Sequence, residues 1–358
     1  MTVLWINLVL VFSFALLARY FSTNLVMNSS GSIIKVQPNK LLFLFSILSF
    51  IVVSGLRHNI GDTPFYKHAY IINDFTWEYV KAQDDIGFAI LQMILKMYTN
   101  DPQPLIFITA FVTNLLILLV FYKYSRLVEL SIYVYITGGL FLVTMNGIRQ
   151  CLAAAILFAG TKFLIEGNMV KYFLVVVFAS LFHQSALVLI LVYFLVRYKP
   201  WTKATLVLLF FAAVIVMGFN QMSTVLFSAI ENTQYSVYSD FDEGGANIIR
   251  VIVFAAPLVI AFLGREKLRQ IFPQSDVFVN MALVGLAFMI ISTANWIFAR
   301  FNIYFELYQL VLVSWTIHLF KERQQKLVYL GLLSCYFAYY FYESVLNLNV
   351  RYISRFFG

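Results

Sequence analysis

The chain has 358 residues, of which 61% are hydrophobic and only 12% are charged, and its formal net charge is +8. Long apolar segments recur from end to end, which excludes an ordinary soluble domain. Because the basic residues form small clusters between these segments, the positive charge indicates membrane orientation and not nucleic-acid binding. The sequence has no nucleotide-binding motif and no metal-binding motif, so we expect no cofactor and no metal.

The apolar segments predict an all-α, polytopic transmembrane helical bundle in a single membrane domain, 1–358, with about 12 passes. The predicted spans are 2–20, 40–56, 102–121, 131–146, 148–165, 172–183, 184–196, 203–220, 248–264, 278–298, 302–320 and 327–344. Residues 86–99 are apolar but short, which predicts an interfacial or re-entrant helix. The short spans within 172–196 predict a re-entrant hairpin, or helices in a locally thinned region of the membrane.

Basic clusters and acidic segments alternate between the predicted spans. The basic clusters are Arg19 to Lys40, Lys123 with Arg126, Lys162 with Lys171, Arg197 to Lys203, Arg265 to Arg269, and Lys321 to Lys326. The positive-inside rule places them in the cytoplasm, so the acidic segments form external loops near 57–101 and 221–247, and both termini are external. This topology places one set of polar residues at the outer ends of spans, namely Arg57, Arg149, His183 and Arg300.

The first polar motif, 54–66, lies where a predicted span meets the first acidic loop. Arg57 offers a planar fork of donors that suits phosphate oxygens. Asp62 is a candidate to orient that arginine or to accept a proton. The alternative is that Arg57 reaches lipid head groups and that Asp62 is an ordinary loop residue.

The second motif, Asn146 to Gln150, interrupts a long apolar stretch and suits the tip of a helical hairpin. Arg149 is the only charged residue between Ser131 and Thr161. Arginines at membrane depth are costly, and they usually face a protein interior or an aqueous path. The alternative is that Arg149 only pairs with a buried acid or with carbonyl groups.

The third and fourth motifs place a histidine and a further arginine at the same level. His183 lies in the predicted hairpin, and its ordinary pKa suits a general base near neutral pH. The alternative is a hydrogen bond between helices. Arg300 and Tyr304 are four residues apart and share a helix face. An interfacial aromatic belt explains this pair equally well.

In these residues the chain resembles the EpsG family of Wzy-like exopolysaccharide polymerases. The resemblance rests on four motifs that occur in order between about residues 40 and 320. They are Gly55-Leu56-Arg57 with Asn59, Gly61, Asp62 and Tyr66; Asn146 to Gln150; Ala179 to Ala186 with Phe182 and His183; and Arg300 with Tyr304 and Phe305.

The resemblance implies an exopolysaccharide polymerase of the biofilm matrix in the bacterial plasma membrane, with a fold similar to GT-C glycosyltransferases. Such an enzyme joins oligosaccharide repeat units carried on undecaprenyl diphosphate at the outer face. The lipid-linked oligosaccharide and membrane lipid are then expected partners, as are a flippase and proteins that regulate chain length.

The residues fit this chemistry as follows. Arginines aimed at a diphosphate leaving group stabilise its charge without needing a metal. The candidate catalytic residues are His183, Asp62 and Arg149, and the candidate diphosphate- or sugar-binding residues are Arg57, Arg149, Arg300, Asn146, Gln150, Tyr304 and Tyr66. Two other functions stay open: an O-acyltransferase that modifies the polysaccharide, and a polysaccharide transporter.

Overall fold

A computed structural model describes residues 1–22, 24–27, 33–219 and 244–356, with the backbone alone for 24–27 and 33–35. Within these residues the chain is almost entirely helical. The α-helices are α1 (Thr2–Tyr20), α2 (Lys40–Gly55), α3 (Thr63–Ile72), α4 (Trp77–Lys81), α5 (Ile86–Lys96), α6 (Gln103–Tyr124), α7 (Val128–Thr137), α8 (Leu140–Asn146), α9 (Ile148–Ala159), α10 (Thr161–Glu166), α11 (Met169–Ser180), α12 (Val188–Leu195), α13 (Lys203–Met217), α14 (Ile248–Leu263), α15 (Arg265–Ile271), α16 (Ser275–Ile291), α17 (Ala299–Thr316) and α18 (Glu322–Tyr340). The all-α prediction is confirmed.

Shorter elements complete the chain. Within the described ranges, three 3₁₀-helices (Gln184–Leu187, Trp296–Phe298 and Ile317–Leu319) and one π-helix (Phe341–Asn347) adjoin longer helices. Two strands, β1 (Asn24–Met27) and β2 (Ile33–Gln37), form an antiparallel hairpin that hydropathy did not predict. Most of the predicted external loop 221–247 lies outside the described residues.

Two helices in the described residues, α1 and α6, are individually long and apolar enough to cross a membrane. The number rises to four if α7 with α8, bent by 59°, and α14 with α15, bent by 83°, each count as one span. Several other predicted spans coincide with apolar helices of 10–17 residues, which are short for an upright crossing. The count of about 12 passes and the GT-C-like arrangement therefore stay predictions.

Two helix breaks near the candidate site fall at glycines. Gly147 ends α8 and precedes α9, so the predicted break inside the Asn146 to Gln150 motif is confirmed. A second break, between α7 and α8, was not predicted. It occurs at Gly139, whose φ of +95° lies in the left-handed region that glycine adopts at no steric cost.

The centre of the bundle is formed by α7 and α17, which pack against each other. Every residue of α7 is buried, as are nearly all residues of α17. The outer helices instead expose large apolar side chains; examples are Val9, Leu174, Phe210, Ile252 and Leu330. Apolar exposure on this scale marks a surface that meets lipid or another protein. The chain is a membrane protein.

The segment after the π-helix returns to the end of α2 and fixes the first polar motif. Ser354 Oγ donates to Leu56 O at 2.7 Å, and Asn59 Nδ2 donates to Arg351 O at 2.7 Å. Ile353 N donates to Asn59 Oδ1 at 2.7 Å. Side-chain and backbone bonds therefore hold residues 56–59 in one position relative to the bundle.

Candidate active site

Asp85, a residue that the sequence analysis did not single out, lies at the centre of the candidate site. Its side chain is only 3% exposed, and its Oδ2 atom accepts a hydrogen bond from Arg149 Nη1 at 2.7 Å. The same Oδ2 lies 3.6 Å from His183 Nδ1, and Oδ1 accepts from Gln184 N at 3.0 Å. We call Asp85, Arg149, His183 and Gln184 the Asp85 cluster.

Backbone contacts bring two of the three segments of this cluster together, and the third joins them through the Arg149 side chain. Asp85 precedes α5, and Gly87 N in the first turn donates to Leu181 O at 2.7 Å. A β-carbon on Gly87 would lie 2.9 Å from the Leu181 side chain, so the approach needs glycine. The loop at 181–183 is therefore held beside the start of α5, at the level of the carboxylate.

His183 lies in the link between α11 and the 3₁₀-helix Gln184–Leu187. Its backbone is extended and its side chain is buried. The two short helices and the break between them agree with the predicted 172–196 segment. With Nδ1 facing a carboxylate, the imidazole is oriented as in acid–base pairs in which the other ring nitrogen takes the proton.

Arg149 lies in the first turn of α9 and is partly exposed, with 37% of its side chain accessible to solvent. Its guanidinium carbon lies 6.0 Å from the ring centroids of both Tyr66 and Phe88. Burial raises the pKa of the Tyr66 hydroxyl, while the neighbouring Arg149 and the charge of Arg300 act in the opposite direction. Tyr66 therefore lies beside Arg149 and within the electrostatic influence of Arg300.

The predicted residues Gln150, Arg300 and Tyr304 are joined to the same region. Gln150 Nε2 donates to Arg300 O at 2.8 Å, which ties the start of α9 to the start of α17. Tyr304 is buried, and its hydroxyl lies 2.7 Å from Ser185 Oγ. The guanidinium carbon of Arg300 lies 5.4 Å from the centroid of Trp296. The second, third and fourth sequence motifs therefore meet.

Asn146 joins the first motif to the second. Its Oδ1 atom accepts from Asp62 N at 2.8 Å. Gly61 beside it has φ of +53°, and a β-carbon there would lie 2.3 Å from Asn146 Oδ1. The Asp62 side chain is partly exposed at the start of α3 and makes no capping bond there.

Arg57 is placed differently from the other predicted residues. It is fully buried, its Nε donates to Thr63 Oγ1 at 2.9 Å, and its Nη1 donates to Ser54 O. Thr63 Oγ1 in turn lies 3.3 Å from Met145 O. In this structure Arg57 holds the 57–63 segment against α8, and its role in binding substrate stays a prediction.

A cavity of about 310 Å³ lies beside these residues, which we call the polar cavity. Three predicted residues line it: Asn146, Gln150 and Arg300. Among the described residues its other charged lining groups are Arg250, Glu306 and Glu343. The charged members of the Asp85 cluster do not line it. No three His, Cys, Asp or Glu side chains in the described ranges lie close enough to hold a metal ion.

Sequence reasoning missed Asp85 because it is one of several acids in a loop rich in acids. Asp84 precedes it and is exposed, so composition alone does not distinguish the two. The available signal was the position of Asp85 directly before an apolar segment, where a short helix was predicted.

Comparisons with curated proteins and with solved structures give no match. The model of the EpsG family matches residues 40–354, a range that includes every residue of the Asp85 cluster and of the polar cavity. The chain belongs to the EpsG family.

Proposed function

We propose that this protein is a membrane glycosyltransferase that polymerises exopolysaccharide. It transfers lipid-diphosphate-linked oligosaccharide repeat units to a growing chain at the outer face of the bacterial plasma membrane. Membership of the EpsG family supports a role related to exopolysaccharide. The observation that carries the proposal is that one buried carboxylate, Asp85, contacts both a partly open arginine and a histidine.

The reaction needs two things from the protein. A bond forms between the acceptor hydroxyl oxygen and the anomeric carbon, the bond from that carbon to the phosphate oxygen breaks, and the hydroxyl proton leaves. We infer that Arg149, with the charge of Arg300 acting from the start of α17, stabilises the negative charge that develops on the diphosphate. His183, oriented by Asp85, accepts the proton, which is a role worth about 10²- to 10⁴-fold in rate.

The ion pair with Asp85 also holds the Arg149 guanidinium in a fixed position for binding an anion. A carboxylate on one side fixes the guanidinium, whose planar fork of five N–H donors suits phosphate oxygens. The rings of Tyr66 and Phe88 near the guanidinium limit the positions it can take. Arg149 therefore does pair with a buried acid, which was one of the two interpretations of this residue. This ion pair is compatible with a role of Arg149 in binding the substrate.

The proposal implies partners. The lipid-linked repeat unit must first reach the outer leaflet, so a flippase supplies the substrate. Proteins that regulate chain length would act on the product. Membrane lipid surrounds the exposed apolar faces of the outer helices.

Replacement of the native copy in cells tests the function and separates it from the acyltransferase alternative. We expect Arg149→Lys and His183→Ala cells to accumulate single lipid-linked repeat units and to lack polymer. Arg265→Lys, at an exposed position in a predicted cytoplasmic cluster, is the control and should leave polymer unchanged. Full-length polymer that lacks only acyl groups would identify an acyltransferase and reject the polymerase.

A further inference from the structure

The polar cavity has the size of a site for a small ligand. Its volume of about 310 Å³ is at the lower end of the range for ligand sites. Its walls come mainly from α8, α14, α17 and α18, and aromatic rings contribute through Trp296, Tyr336 and Tyr339. The cavity adjoins the Asp85 cluster through Gln150 and Arg300, which are bonded to each other.

Several polar atoms in the cavity wall lack hydrogen-bond partners in the described part of the chain. They are Gln150 Oε1, Asn302 Oδ1, Glu343 Oε2 and Ser344 Oγ, on side chains that are each at least nine-tenths buried. Buried polar groups in proteins are nearly always paired, because an unpaired one costs free energy. All of these atoms can accept a hydrogen bond, and three of them can only accept. A ligand that is complementary to this cavity wall therefore carries hydrogen-bond donors.

Glu306 adds a carboxylate to the same wall. Its Oε2 accepts from Asn302 Nδ2 at 3.2 Å, and it takes part in no ion pair within the described residues. Glu343, by contrast, is paired with Arg250. Glu306 is partly exposed although its neighbours on both sides in α17 are buried, because it faces the cavity. A carboxylate in this position is a strong acceptor for ligand hydroxyl groups.

The charges argue against a second diphosphate site. Arg250 and Glu343 neutralise each other, and the formal charges of Arg300 and Glu306 cancel. The described lining thus has no net formal charge. Flat aromatic faces beside hydrogen-bond acceptors suit a molecule with apolar C–H faces and many hydroxyl donors.

We propose that the polar cavity binds uncharged sugar rings through hydroxyl groups that donate to Glu306, Gln150 and Ser344. The cavity is a saccharide subsite separate from the diphosphate, which lies at Arg149. The identification of the saccharide as part of a polymerase substrate rests on the proposed function, but binding itself does not.

Direct binding to the purified full-length protein tests the subsite. The first probe is a mixture of short neutral oligosaccharides, prepared by partial hydrolysis of the exopolysaccharide of the bacterium that carries this protein. The second is inorganic pyrophosphate. Dissociation constants are measured by calorimetry for the wild type and for Glu306→Gln, Ser344→Ala and Arg149→Lys. The matched control is Ser46→Ala, since Ser46 is equally buried but bonds to Val11 O far from the cavity.

We expect Glu306→Gln to weaken oligosaccharide binding by about 10- to 100-fold, and Ser344→Ala by about 2- to 10-fold. Ser344→Ala removes a hydroxyl without a partner, so it should fold at least as well as the wild type even if Glu306→Gln does not. Arg149→Lys and Ser46→Ala should leave oligosaccharide binding unchanged, whereas Arg149→Lys should weaken pyrophosphate binding.

Two results would overturn the subsite: no oligosaccharide binding to the wild type, or equal binding by the wild type, Glu306→Gln and Ser344→Ala. The proposed function fails independently. If Arg149→Lys polymerises normally while oligosaccharide binding depends on Glu306 and Ser344, the subsite stands and the polymerase mechanism does not.

Discussion

Replacing Asp85 with asparagine isolates the charge on which the candidate site depends. The substitution keeps the size and shape of the side chain. It removes the negative charge that holds Arg149 at 2.7 Å and faces His183 Nδ1 at 3.6 Å. One carboxylate oxygen becomes an amide nitrogen, which cannot accept from Arg149 or from Gln184 N.

Asp85→Asn should have two separate effects, one on the stability of the protein and one on the reaction rate. Exposed ion pairs contribute about 0–1 kcal/mol, whereas removing one partner of a fully buried pair costs about 3–5 kcal/mol. Asp85 is 3% exposed and Arg149 is 37% exposed, so the pair lies between these limits. We expect a loss of about 1–3 kcal/mol in the free energy of unfolding. The loss in rate should be larger, about 10²- to 10⁴-fold, because the base loses its orienting carboxylate.

Single-turnover extension of a purified lipid-linked repeat unit measures the rate per folded molecule, and thermal unfolding in detergent measures stability. The matched control is Asp84→Asn, because Asp84 is the exposed neighbour of Asp85 and should tolerate the change. If Asp85→Asn extends the chain at a rate close to that of the wild type, Asp85 is only a structural partner of Arg149.

Four further changes have definite expectations. Arg149→Lys should lower polymer yield severely although the charge is kept, because an ammonium does not replace a bidentate fork. His183→Ala should lose about 10²- to 10⁴-fold in single-turnover rate, and His183→Gln should be nearly as slow. Lys67 is buried in α3, where its Nζ donates to Gln103 Oε1 at 2.7 Å. Burial lowers the pKa of Lys67 from 10.5 to about 8, so the unfolded chain binds the proton more tightly and the contribution of Lys67 to stability rises with pH between these values. Thermal unfolding of Lys67→Met should lack this rise. An impermeant thiol reagent should label cysteine at position 74 in intact cells and should not label it at position 199.

Each expectation has an opposite outcome. If Arg149→Ala is present at wild-type abundance and still makes normal polymer, Arg149 contributes only to packing and not to the reaction. A near-normal rate for His183→Gln would move the base to Asp62 or to the substrate. Parallel pH profiles for Lys67→Met and the wild type would show that Lys67 does not titrate in that range. Labelling at position 199 in intact cells would overturn the predicted orientation.

The positions of most helices were predictable because apolar runs are the strongest signal in a membrane protein sequence. The break at Gly147 followed from one polar motif between apolar runs. The bend at Gly139 did not, because Gly138-Gly139 lies within a continuous apolar stretch and its effect depends on backbone angles. The β1–β2 hairpin lies in a segment that hydropathy treats only as a basic connection.

The candidate site was partly predictable for a similar reason. Charged or polar residues in apolar surroundings are conspicuous, so Arg149 and His183 were found, and the structure joins them. Their common partner, Asp85, was hidden among loop acids, since only the contact between Gly87 and Leu181 brings it to the histidine. Arg57 was conspicuous for the same reason as Arg149, but its guanidinium is enclosed by its own segment.

If this chain alone forms glycosidic bonds from a lipid diphosphate donor, the purified protein must extend the polymer after reconstitution. Purified full-length protein in liposomes is given the purified undecaprenyl-diphosphate-linked repeat unit, and both chain length and released undecaprenyl diphosphate are counted. We predict products of increasing length, with one lipid diphosphate released for each repeat joined, and loss of both with Arg149→Lys. Absence of chain extension by a folded wild-type protein that binds the lipid-linked unit would contradict the account.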